Sequence, residues 1–210
     1  MAYDLEEQEQ LEQLKAWWNK YGALTLGLLS LALAAVLGWQ GWNWYQNHQA
    51  TQSRGYFEAL ERASEQPGQE AVPRVLAAMN TLQTDFPKTD YAARAALVAA
   101  STLIKNGDPA QAQRILTWLS QSSHTALVPV AQLRLAGLLL DEQKYDEALA
   151  QLNAPPPSFE GLFADRRGDV LAAMGQTAEA VAAWKKAIEL LGPSSALSGA
   201  VQLKIDTLGA

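Results

Sequence analysis

The side chains able to do acid–base or metal chemistry are few. The 210 residues contain two histidines, His48 and His124, and no cysteine. A metal site or a proton-transfer pair on a helix needs a second ligand or a carboxylate three or four positions away. His48 has Trp44, Tyr45, Thr51 and Gln52 at those distances, and His124 has Ser120, Gln121, Leu127 and Val128. The lack of cysteine removes disulfides, thiolate ligands and a thiol nucleophile, and it fits an oxidising compartment. No GxxxxGK loop, GxSxG elbow or HExxH pair is present. The densest charge cluster is Asp165-Arg166-Arg167-Gly168-Asp169. It reads as ion pairing at a helix start around one glycine that permits close packing, with a contact site as the alternative. Lys185-Lys186 reads as a solvated face. The sequence therefore predicts no catalytic residue, no cofactor and no metal, and points to a binding protein rather than an enzyme.

Charge narrows the partners. Lys and Arg total 16 against 22 Asp and Glu, a net charge of -6. A nucleic-acid binder needs a basic stripe to replace phosphate counterions, so nucleic acid is excluded as a partner. With 49% hydrophobic and 18% charged residues, the chain has the composition of a globular protein rather than a disordered one.

One stretch belongs in lipid. Gly22 to Trp39, GALTLGLLSLALAAVLGW, holds no charged side chain. As a helix its 18 residues cover about 27 Å, close to the ~30 Å hydrocarbon core of a bilayer. Its polar residues Thr25 and Ser30 can bond back to helix carbonyls. Trp17, Trp18 and Tyr21 precede the run, and Trp39, Trp42, Trp44 and Tyr45 close it. Aromatics at both ends form the belts of a membrane span, whereas a buried core helix gains nothing from them. The leader is acidic (Asp4, Glu6, Glu7, Glu9, Glu12), unlike the positive start of a cleaved signal peptide. An uncleaved anchor follows, with residues 1–20 as a tail, 21–45 as the span and 46–210 as a domain beyond it. Lys15 and Lys20 lie just before the span, and the first basic residue after it is Arg54. This bias predicts a cytoplasmic N-terminus and a domain on the outer side of the membrane, the periplasm in a Gram-negative cell. Gly27, Ser30, Ala34, Gly38 and Gly41 share one helical face, a small-residue face suited to docking another membrane helix.

Beyond the span the period is helical throughout, and no apolar–polar alternation marks a strand. The residues following the span, Gln46 to Ser64, suit a helix ended by Gln66-Pro67-Gly68. Further helices are predicted near 70–85 and 91–105, after the turn Asn106 to Pro109 as far as about 121, at 125–142, in a short run ending at 152, and at 159–174, 178–191 and 195–208. Thr89 or Asp90 serves as a cap, and Ala154 to Ser158 forms a rigid proline-rich loop.

Three segments repeat: NGDPAQAQRIL, EQKYDEALAQL and MGQTAEAVAAW. Their matched alanines are Ala112, Ala148 and Ala180, and twelve positions before each lies Ala100, Ala136 or Gly168. Such spacing is close to the 34-residue tetratricopeptide period. The small residues let two helices cross closely, and Leu116, Leu152 and Trp184 fill the groove beside them. The predicted fold is therefore all-α, a transmembrane helix followed by a tetratricopeptide-like α-solenoid. Its first helices would line a concave face with Arg94, Leu97, Ser101 and Ile104, then Leu133, Gly137 and Leu140, then Leu162, Asp165, Asp169 and Ala172. That face suits an extended or helical peptide, unless the protein's own terminal helix fills part of it.

This arrangement resembles the YfgM-type family of bacterial inner-membrane proteins, ancillary subunits of the Sec translocon. The resemblance is carried by the acidic tail, by GWNWYQNHQ (Gly41 to Gln49), QLRLAGLLL (Gln132 to Leu140), ADRRGDVLAAMG (Ala164 to Gly175) and AVAAWKKA (Ala180 to Ala187), and by the ending PSSALSGAVQLKIDTL. It implies a single-pass inner-membrane protein with a periplasmic tetratricopeptide-like domain. Its implied partners are Sec translocon subunits, a membrane-anchored periplasmic chaperone of the prolyl isomerase type, and secreted client proteins. It also implies a link to an envelope stress response. It brings no catalytic residue with it. A scaffold for another envelope assembly machine is the competing expectation.

Overall fold

The computed structural model describes residues 2–66, 68, 70–192 and 195–208, with side chains described from Glu7 onward. The side chains of Asp4 and Glu6, and Pro67 and Pro193, invoked above, lie outside the described residues. The chain divides into two compact units, Met1–Thr51 and Gln52–Ala210.

The first unit is helical, part of α1 (Ala2–Ser64). Among the described residues α1 is the one helix long and apolar enough to cross a membrane, and its apolar window is only 6% buried. A core helix of that composition would be covered by its neighbours. Here Leu24, Leu28, Leu31 and Leu37 all stand exposed. The Thr25 hydroxyl donates to the carbonyl of Gly22 (2.9 Å) and lies 3.1 Å from that of Tyr21. Aromatic pairs stand at both ends of the run: Trp17 with Trp18 and Tyr21, and Trp42 with Tyr45, at centroid distances of 6.0 to 6.3 Å.

The second unit holds the end of α1 and eight further helices among the described residues: α2 (Ala71–Asp85), α3 (Asp90–Lys105), α4 (Pro109–Ser120), α5 (Val128–Asp141), α6 (Tyr145–Gln151), α7 (Glu160–Ala173), α8 (Thr177–Leu191) and α9 (Ala196–Thr207). The starts follow local chemistry. Thr89 Oγ1 accepts from the Ala92 amide, and the Asp108 carboxylate from that of Gln111, with Pro109 next to it in the first turn. α5 begins at Val128, three residues later than the spacing predicted. Pro129 lacks an amide and is tolerated only in a first turn, and the residues before it close turns onto the His124 carbonyl. The proline-rich loop ends in a single 3₁₀ turn, Pro157–Phe159, that leads into α7.

α3 with α4, α5 with α6, and α7 with α8 form three hairpins. Each is closed the same way. The amides of Asp108, Lys144 and Gln176 donate five residues back, to Leu103, Leu139 and Leu171, at 2.8 to 2.9 Å. The residues before them donate three back, to Ile104, Leu140 and Ala172. This double closure needs a left-handed residue at the turn. Gly107 (φ 80°) and Gly175 (φ 76°) supply it in two hairpins, and Gln143 (φ 60°) in the third.

The repeat's small residues are where the helices cross. Ala100, Ala112, Ala136, Ala148 and Ala180 are fully buried, and so are Leu116, Leu152 and Trp184 beside them, to within a few per cent. Each buried leucine contributes about 1.5–3 kcal/mol of transfer free energy. One core runs from Leu60 through Met79, Leu103, Leu119 and Leu139 to Phe163 and Val170. A second joins Ala164 to α8 and α9 through Trp184, Ala187, Val201 and Ile205. α7 thus faces both cores.

Candidate functional site: a groove across the first helices

α3, α5 and α7 place their exposed faces side by side. Ser101 and Ile104 of α3, Leu133, Gly137 and Asp141 of α5, and Arg166 of α7 line one groove of ≈ 340 Å³. A second hollow of ≈ 460 Å³ adjoins it, lined by Leu97, Ser101 and Lys105 of α3, Arg134 of α5, and Ser64 and Glu65. Arg134 borders both, and its Nη1 donates to the Leu97 carbonyl at 2.9 Å, bridging α5 to α3. The Arg166 guanidinium lies over Gly137, its Cζ 3.8 Å from where a Cβ would be. A Cβ there would make only ordinary contact with it.

The remaining residues assigned to this face divide. Arg94 is exposed on α3. Leu140, like Leu97 and Leu133, leans on the first core, and Ala172 on the second. Leu162 is half-buried. Asp165 and Asp169 are partly buried and engaged within the protein. Lys204 of α9 donates to both, at 2.6 and 2.7 Å. The Trp184 indole N–H reaches the Asp165 carbonyl (3.2 Å) and Asp169 Oδ1 (3.1 Å), and Lys204 sits 5.9 Å from the indole centroid. The protein's own last helix therefore covers the end of the face that these aspartates form.

The charge cluster sits in the middle of α7 rather than at its start. Its ion pairs are real: Arg166 meets Asp169 at 3.4 Å. Arg167 instead donates to the Leu152 carbonyl at 2.7 Å, tying α7 to the end of α6. Arg134 and Arg166 were missed as lining residues, although Arg134 lies three before Gly137, and Arg166 four after Leu162 and three before Asp169. That helical spacing was the available signal. Lys185 and Lys186 are exposed.

On α1, Gly27, Ser30, Ala34, Gly38 and Gly41 are exposed, and a Cβ built on Gly27, Gly38 or Gly41 would meet nothing within 4 Å. His48 stacks on Trp44 at 5.4 Å. His124 has 3.0 Å between its Nε2 and the Pro87 carbonyl, and its Nδ1 is 3.8 Å from Asp90, a neighbour that sequence distance hid. No group of three or more metal-binding side chains occurs among the described residues. Elsewhere the Glu58 carboxyl is held below its usual range by a 2.7 Å hydrogen bond from Arg54, whose own guanidinium is pushed up. Glu142 likewise raises Lys144 beside the second hairpin turn.

Comparison with known proteins agrees with this architecture. A family model described as a tetratricopeptide repeat-like domain matches residues 15–210. A Neisseria gonorrhoeae protein named ancillary SecYEG translocon subunit is 34% identical, over 99% of this chain and all of its own length. Proteins of the same name from Escherichia coli (30%, 96% of each chain) and Haemophilus influenzae (28%, 89% of this chain and 91% of the relative) are also similar. No solved structure matches.

Proposed function

The chain belongs to the family of ancillary SecYEG translocon subunits with a tetratricopeptide repeat-like domain, and from that premise we propose that it is a non-catalytic membrane-anchored accessory of the Sec translocon. The observation that carries this is similarity along nearly the whole chain, span and repeats together, to relatives bearing that name. The exposed apolar run of α1 supports membrane anchoring. The Lys15 and Lys20 bias supports an N-terminus in the cytoplasm and a repeat domain in the periplasm. The small-residue face of the span then docks against a translocon helix, and the repeat domain works on the segments that emerge outside. A membrane-anchored chaperone of the prolyl isomerase type is the partner class implied by the resemblance, with secreted proteins as clients.

A photoreactive residue in place of Trp42 tests the reading. Labelling of SecY, SecE or SecG in intact cells is the expected result. Labelling confined to cell-wall or outer-membrane assembly proteins would overturn it.

A further inference from the structure

We infer that the groove across α3, α5 and α7 takes an extended polypeptide segment carrying an acidic side chain between aliphatic ones, the carboxylate lying between Arg134 and Arg166. This deepens the proposed function and rests on its reading of the repeat domain as the part that meets partners. The charge balance argues for it. Across the two adjoining hollows Lys105, Arg134 and Arg166 face Glu65 and Asp141, a cationic excess on a chain whose net charge is -6. Each guanidinium has one contact accounted for, Arg134 with the Leu97 carbonyl and Arg166 with Asp169. Arginine's planar fork of five N–H donors leaves others for a carboxylate. The groove they border is mixed in character, with Ile104 and Leu133 as aliphatic side chains among polar neighbours such as Ser101 and Asp141. Ile104 is 43% exposed there, and Leu133 also lines the groove. The groove crosses three helices rather than following one. An extended strand can lie across it with alternate side chains pointing in. Three cations interspersed with two carboxylates are too few for a polyanion.

The test uses the full chain in nanodiscs and fluorescent ten-residue peptides in which leucine alternates with Glu, Gln or Lys. The Glu peptide is expected to bind about tenfold tighter than the Gln peptide, and the Lys peptide weakest. The preference should fade at about 1 M salt, where the Debye length is about 3 Å. Arg134→Gln with Arg166→Gln should abolish it. Gly137→Leu, which fills the groove while keeping both charges, should weaken the Glu peptide to the same degree. Equal binding of the three peptides, or a Glu preference that survives either variant in folded form, would overturn the inference. Crosslinking from position 42 is read separately. If it persists while the peptide preference is absent, the groove chemistry alone fails. If it is lost, translocon docking fails.

Discussion

The indole of Trp184 occupies the space that a side chain on Gly168 would need: a Cβ there would lie 2.8 Å from Cγ, with Cδ1 and Nε1 closer still. The ring cannot swing away freely, since its N–H is held by Asp165 and Asp169. Gly168→Ala is therefore expected to destabilise the domain. Overpacking costs about 1–3 kcal/mol, more than the ~1 kcal/mol gained by replacing a helical glycine with alanine. Gly137→Ala, with only ordinary contact at 3.8 Å, should keep that gain. Urea unfolding followed by circular dichroism reads both, and equal midpoints for the two variants would contradict the packing argument.

Gln143 stands where the other two hairpin turns have glycine, with φ 60°. A side chain in that region costs about 1–2 kcal/mol. Gln143→Gly should raise the unfolding free energy by about 1 kcal/mol, whereas Gly175→Gln should lower it by a similar amount. An unchanged midpoint in both would mean the turns carry no strain.

Lys204 joins α9 to α7 through two carboxylates, all three groups about a fifth to a third exposed. Lys204→Met removes the cation shared by Asp165 and Asp169, leaving Asp169 only its longer 3.4 Å contact with Arg166. Breaking a fully buried pair costs 3–5 kcal/mol, and solvent screening reduces this to about 1–2 kcal/mol here. The amides of α9 should exchange faster with deuterium while those of α3 and α4 keep their rates. Uniform acceleration throughout the second unit would instead make the contact a global one.

Ala34 and Gly38 lie on the uncovered face of α1. Replacing both with Ile should leave the helical content and the unfolding midpoint of the second unit unchanged. Recovery of translocon subunits in gentle detergent should drop several-fold, as it does when a close-packing surface is blocked. Full recovery of every membrane partner would dismiss the face.

The Arg54–Glu58 pair sets a pH expectation. The carboxyl is depressed in the folded chain, so its contribution is present above the ordinary glutamate range of about pH 4.3 and is lost as pH falls through the lower folded value. Amide protection around residues 54–62, corrected for intrinsic rates, should fall there. Glu58→Gln should show the lower protection already at neutral pH and no acid dependence. Both groups face solvent, so the effect is local.

The solenoid was legible because its determinants are local and periodic. Ala100 and Ala112, or Ala136 and Ala148, announce a helix crossing through size and spacing alone, and Pro109 and Thr89 mark helix starts within one turn. What was hidden depends on residues far apart in sequence. Lys204 meets Asp165 and Asp169 at separations of 39 and 35, so the two aspartates looked like lining for an open face. Nothing near His124 in sequence points to Asp90 or Pro87. Arg134 and Arg166 carried a usable signal, but the aliphatic stripe beside them drew attention first. Gln143 hid a left-handed turn because its type gives no hint of it.

Thr25 satisfies its hydroxyl on the carbonyl of the preceding turn, which bears on the order of events during biogenesis. A polar group aimed outward would need a neighbour before the segment was at ease in hydrocarbon. With that hydroxyl turned inward on its own backbone, Thr25 itself demands no companion for entry into lipid. Nor would losing a helical neighbour leave this hydroxyl unpaired.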